Sequence, residues 1–193
     1  MLSSAEIARG SRGAVKFLSR DVSAPLHFDN TPEACLRSFQ VMVLVAPVYA
    51  VYLVVHYMQV NTTADEGQIA LAEGLRYVVD WLLYPVIFYE IARRRGWLER
   101  YPRYIASLNW INLPAVILLL ISELVAALVP PGAAALLQIA LQALFFYWFL
   151  MATRLALGVS WLLAVLLMII NWVPSLFLSL IITRFLEVAQ LPG

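Results

Sequence analysis

The chain is poor in charge, in histidine and in thiols. Asp, Glu, Lys and Arg make up 13% of its 193 residues, roughly half the share in an ordinary soluble domain. So little charge excludes a nucleic-acid-binding domain, which needs a basic surface. It also excludes a disordered regulator, which needs a polar chain. Cys35 is the only thiol, so no internal disulfide can form and a secreted disulfide scaffold is excluded. His27 and His56 are the only histidines, too few and too far apart to ligate a haem. His56 alone makes no metal site and reads as a packing residue at a membrane interface. No His-Glu-x-x-His, Gly-x-Ser-x-Gly or glycine-rich phosphate loop occurs. The residues therefore point to no catalytic group, metal or cofactor, and to a protein that is not an enzyme.

Apolar residues are what the chain has instead. They make up 63% of it, and the mean hydropathy is +0.82. A soluble fold of this length could not hide that much apolar surface, so the chain reads as an integral membrane protein. A spanning helix needs about 20 apolar residues. Five such runs are legible, at 39–57, 75–92, 105–129, 133–152 and 159–182. Strand-length alternating segments are missing, so a barrel is not credible. The expectation is an all-α polytopic bundle of five transmembrane spans. Residues 1–38 form a basic cytoplasmic segment, 39–185 the five-helix membrane domain, and 186–193 a short outer tail. Residues 3–20 have no continuous apolar core of the kind a signal peptide needs, so the first hydrophobic run is expected to insert and stay.

Local signals place the boundaries. Ser3 to Glu6 fits a capping box, and so does Thr63 to Glu66, which would start the second long helix near Ala64. Thr31-Pro32-Glu33 reads as a cap, a proline in the first turn and an acid facing the helix dipole. Pro130-Pro131-Gly132 makes a tight turn, and Gly158 punctuates the link before the last span. Within residues 3–20, Ile7, Val15, Phe17 and Leu18 alternate with four basic residues. A surface helix on the inner leaflet and a flexible basic tail are both open, because Gly10 and Gly13 weaken a helix.

Orientation follows from Lys and Arg. Eleven of the thirteen fall before span one, between spans two and three, or between spans four and five. Arg184 lies on the other side, and Arg76 falls inside the second helix. This predicts a cytoplasmic N-terminus and an outer C-terminus.

Ionisable groups inside a span need a partner or a wet cavity. Glu73, Arg76 and Asp80 fall within an arc of roughly 60° on the second helix, a face shared by Tyr77 and Tyr84. Val79, Leu82 and Val86 lie away from it. Asn109, Asn112, Val116 and Glu123 share a face of span three. Gln138, Gln142, Phe145 and Phe149 line up in span four, and Ser160, Ala164, Asn171 and Ser175 in span five. These polar faces should converge. Asp80, Glu123 and Gln138 sit at similar depths, ~7–10 Å from the outer ends of their spans at 1.5 Å per residue. Arg76 is then expected to pair with Asp80, with Glu123 close by and Gln138 and Gln142 as further partners. Two readings follow for Glu73, Arg76, Asp80, Glu123, Gln138, Gln142, Asn109, Asn112 and Asn171: a fixed buried polar network, or a transport site. Pro47, Pro85, Pro114 and Pro174 either kink their spans or break them. The Asn-Trp pairs at Asn109 and Asn171 suggest a short internal repeat.

Five spans, an inner N-terminus and a polar segment before span one resemble the Yip family of five-span membrane proteins. The stretch Tyr104-Ile105-Ala106-Ser107-Leu108-Asn109 carries the likeness into span three, and it covers about residues 30–185. Phe28-Asp29-Asn30-Thr31-Pro32-Glu33 and Asn109-Trp110 are also similar to stretches of uncharacterised bacterial inner-membrane proteins. The resemblance implies a five-span fold and a bacterial inner (plasma) membrane location. Eukaryotic Yip proteins act in vesicle traffic through small GTPases, and no residue here carries that role over.

The function expected first is a non-enzymatic organiser of protein partners or lipids, held together by its polar network. Its partners would be the bilayer, another membrane protein or a second copy of the chain, and no nucleic acid. The alternative is a small transporter or proton-linked channel that uses Asp80 and Glu123. A polar cavity reaching Asp80 would favour the alternative, and a dry, fully paired network the first.

Overall fold

The computed structural model describes residues 2–187 and the backbone of 189–190. The rest of the expected outer tail, residues 188 and 191–193, lies outside the described residues. The chain is all-α. A helix α1 (Ser4–Lys16) and a 3-10 turn (Ala24–His27) precede α2 (Pro32–Ser38) and α3 (Val41–Tyr57). Three further long helices follow α4 (Glu66–Arg95): α5 (Tyr101–Ala126), α6 (Pro131–Leu157) and α7 (Trp161–Phe185). A two-residue antiparallel ladder sets β1 (Val60–Asn61) against β2 (Ala189–Gln190), with Val60 opposite Gln190 and Asn61 opposite Ala189.

Caps fix most of these ends. Ser3 accepts the Glu6 amide, and the Glu6 carboxylate takes the Ser3 N–H at 2.8 Å, so the expected capping box forms. Hydrogen bonds from the Ser3 backbone and then its hydroxyl, with Arg37 adding to them, hold the Glu6 carboxyl at about 2. Thr31 caps α2, and Pro32 opens it. Gly96 and Gly158 take the left-handed conformation that ends α4 and α6. One boundary differs from expectation. α4 begins at Glu66, and Asp65 with Gln68 forms its capping box. Thr63 is drawn off by the end of α7, where its hydroxyl donates to the Glu187 carboxylate at 2.7 Å. Thr62 beside it donates to the Leu186 carbonyl.

Four segments are long and apolar enough to cross a membrane: Pro32–Tyr57, α5, α6 and α7. α4 is longer than any of them but is not among the four. α5 is the hub. It packs against α1, α2, α3 and α6, while α7 touches α6 and α4. In its most apolar stretch 44% of α5 is buried, against 11% in α6 and in α7. The outer surfaces of α6 and α7 are therefore the apolar ones left for lipid. α4 follows the same logic on one side: Val79, Leu82 and Val86 are exposed, as the arc of its polar residues requires. All four prolines expected to interrupt spans lie inside unbroken helices, so the broken-helix reading does not hold.

The N-terminal segment is part of the bundle. Residues 4–16 are helical, so the flexible-tail alternative does not hold for them. Gly10 and Gly13 were expected to weaken this helix. They instead let it approach its neighbours closely. A Cβ at Gly10 would overlap the Trp110 ring of α5, and one at Gly13 would overlap His27 and Phe28. Ala14, Phe17 and Phe28 are buried with Val41, Trp110 and Trp148 in one core. The Trp148 indole donates to the Ala14 carbonyl at 2.7 Å, and Arg9–Asp29 (2.9 Å) and Arg37–Glu6 (2.7 Å) tie the segment together.

This packing predicts opposite outcomes for two helical glycines. Gly10→Ala should destabilise the fold by about 1–3 kcal/mol through overpacking on Trp110. Gly74 of α4 has open space around it, so Gly74→Ala should stabilise by about 0.5–1 kcal/mol. Thermal unfolding in detergent would compare them, and equal shifts in Tm would contradict the docking of α1.

Candidate functional site

Glu73, Asp80 and Glu123 divide into two groups. In the first, Glu73 of α4 is 3% exposed. Tyr57 and Tyr49 of α3 donate to it at 2.9 and 3.2 Å. Arg76 Nη1 reaches it at 3.4 Å, and Arg76 Nη2 donates to the Tyr49 hydroxyl at 3.1 Å. Asp80, one turn on, lies 3.8 Å from Arg76 Nε. That pair was expected to be the main one, yet its separation is too long for a hydrogen bond. Asp80 instead accepts from Ser175 of α7 at 2.9 Å. Arg76 thus belongs first to Glu73, because that carboxylate is the buried one and the dearest to leave unpaired.

The second group centres on Glu123 of α5. His56 Nδ1 lies 2.8 Å from one of its oxygens, with Gln59 at 3.5 Å, and Gln138 of α6 donates to the other at 3.2 Å. Gln138 was expected to serve Arg76 and serves Glu123. His56, read from the sequence as a packing residue, is the partner of Glu123 instead. The missed signal is the spacing of Tyr49, Tyr52 and His56, a helical stripe in which each ring stacks on the next at 5.7 Å. Its hydroxyl and imidazole groups face the carboxylates of α4 and α5. This stripe links the two groups.

The remaining predicted polar residues gather round a cavity. It has a volume of about 380 Å³, and α3, α4, α5, α6 and α7 all contribute to its wall. Arg76, Asp80 and Ser175 lie on it, with Asn109, Asn112, Gln142 and Asn171. Glu73, Glu123 and Gln138 do not line it. Asn109 is buried and spends its amide N–H on Ser38 of α2 at 2.9 Å. Among the described residues, Asn112, Gln142 and Asn171 make no side-chain hydrogen bond to the chain, and Asn112 and Gln142 are exposed although both lie within long apolar helices. Such amides need water or a polar ligand. Tyr77, Trp81, Phe145 and Trp172 supply aromatic wall between them.

Towards the end where α4 finishes and α5 begins, a chain of hydroxyls leads away from the cavity wall. Tyr84, on its wall, bonds Tyr104 at 2.7 Å, and Tyr104 bonds Thr153 of α6 at 2.9 Å. Tyr104 and Thr153 are fully buried. The Asn-Trp pairs are not equivalent: Trp110 packs under α1, while Trp172 lines the cavity. No group of three or more His, Cys, Asp or Glu placed to hold a metal occurs among the described residues. No family model, curated protein or solved structure matches the chain.

The pairing order sets a prediction. Arg76→Ala should destabilise the protein by about 3–5 kcal/mol, since it leaves buried carboxylates uncompensated. Adding Glu73→Gln should restore more of that loss than adding Asp80→Asn. Chemical unfolding of the two double variants would compare them, and better rescue through Asp80 would reverse the assignment.

Proposed function

We propose that the protein is a five-span membrane protein that binds a small polar solute in this cavity and passes it across the bilayer. The observation that carries the proposal is the trio of unpartnered amides, Asn112, Gln142 and Asn171, facing one cavity that reaches Asp80. A fixed network built only to join helices would satisfy its own amides. The fifth span is α4. Its 30 residues extend ~45 Å at 1.5 Å per residue, enough to cross with both ends in water. Its charges turn inward and its exposed side is apolar, which supports placing it in the membrane beside α7. Five spans is also the number that the Yip resemblance implies. The distribution of Lys and Arg supports an inner N-terminus and an outer C-terminus, in a plasma membrane of bacterial type.

The organiser of partners or lipids, expected first from the sequence, is the second reading. The complete pairing of Glu73 and Glu123 favours it, because those two groups look built to join helices.

Flux in liposomes separates the readings. Wild type should carry at least one solute from a panel of small polar compounds. Ala115→Trp, which fills the cavity from α5, should bring flux to the level of empty liposomes while the fold survives. Flux at that level for wild type across the whole panel would leave the organiser reading. In a Cys35→Ser background, Gly132→Cys should be labelled from outside and Arg95→Cys from the cytoplasm, and labelling on the opposite sides would overturn the topology.

A further inference from the structure

The cavity's own charges narrow the solute, and the narrowing rests on the reading of the cavity as a solute site. Glu73 and Asp80 bring two negative charges to this part of α4, and Arg76 brings one positive charge. The Arg76 guanidinium nitrogens Nη1 and Nη2 are taken by Glu73 and Tyr49. Its Nε is the nitrogen nearest Asp80, at 3.8 Å. One Asp80 oxygen accepts from Ser175. The other has only the long contact with Arg76, and Asp80 is a residue of the cavity wall. A negative charge is therefore left with an incomplete set of donors. An anionic solute would meet Asp80 and find Arg76 already committed.

The rest of the wall suits a cation. The side-chain oxygens of Asn112, Gln142 and Asn171 accept no bond from the chain among the described residues, so each can take an N–H from a ligand. Trp81 and Trp172 offer aromatic faces, the best surfaces for an organic cation. A volume of about 380 Å³ lies near the small end of ligand pockets, roughly 300–1,000 Å³. We infer that the cavity takes a small organic ammonium cation, with Asp80 as its counter-charge, the amide oxygens of Asn112, Gln142 and Asn171 as acceptors, and tryptophan rings flanking its apolar part.

The test uses the full chain in lipid nanodiscs and three eight-carbon probes of similar size: 2-phenylethylammonium, 2-phenylethanol and phenylacetate. Calorimetry should show the ammonium binding at least about tenfold more tightly than either of the others, the ratio that ~1.4 kcal/mol of charge recognition gives. Asp80→Asn should weaken it roughly thirtyfold, the low end for removing one partner of a buried charge pair. If that variant does not fold, Asn112→Asp should tighten the ammonium, because it adds a second carboxylate to the wall. Equal binding of alcohol and ammonium would overturn the charge assignment and leave the solute site standing. Preference for the carboxylate, or no binding of the ammonium, would also overturn it. No binding of any probe, together with no flux of any solute, would overturn the solute site as well.

Discussion

Glu73 is the most buried carboxylate among the described residues, and its neutralisation governs where α4 can sit. Two tyrosines of α3 and one arginine of its own helix surround it. None of the three can withdraw without leaving a bare charge in an apolar surround, which costs several kcal/mol. α4 is thereby held with its polar arc inward, against α3. Asp80 follows one turn later and faces α7, where Ser175 meets it. The apolar side of α4 is left outward. The cavity is a consequence of this arrangement. α4 meets α3 through polar contacts and packs against α7, and the space between it and the α5–α6 pair remains open.

The other end of the bundle is built in the opposite way. There α1 and α2 pack on α5 through glycine, tryptophan and alanine, around a small pocket of about 70 Å³. Arg103 donates to the Phe28 carbonyl, and Asn30 donates to the Glu99 carbonyl. The hydrogen-bonded chain Tyr84–Tyr104–Thr153 runs on this side of the cavity. A molecule with one tightly packed end and one end made of hydrated-type groups has an intrinsic direction.

Much of this was legible in the sequence. Helical period alone put Glu73, Arg76 and Asp80 on one face and Val79, Leu82 and Val86 on the other. Capping at Ser3 and Thr31 was readable because those bonds are local. The amides Asn112, Gln142 and Asn171 were marked because a polar side chain inside an apolar run is conspicuous. What escaped was the choice among partners. Depth matching brought Glu123 and Gln138 together, as they are found, but depth carries no azimuth, so the bond of His56 to Glu123 was not foreseen. The i,i+4 spacing favoured Asp80 over Glu73, yet burial decided the order, and burial depends on the tyrosines of another helix. Gly10 was read by its helix propensity, while its role is the contact with Trp110 some hundred residues later.

If the cavity is a solute site, water or a polar solute reaches the amide wall of Asn112, Gln142 and Asn171. Thiol reactivity reads this directly, since a thiolate forms only where water can solvate it. In a Cys35→Ser background, Asn112→Cys should react with a small water-soluble methanethiosulfonate in the lipid-embedded protein. Ile117→Cys on the exposed apolar side of α5 should stay unreacted under the same conditions. An unreactive thiol at position 112, in a protein that still folds, would mean a dry cavity and contradict the account.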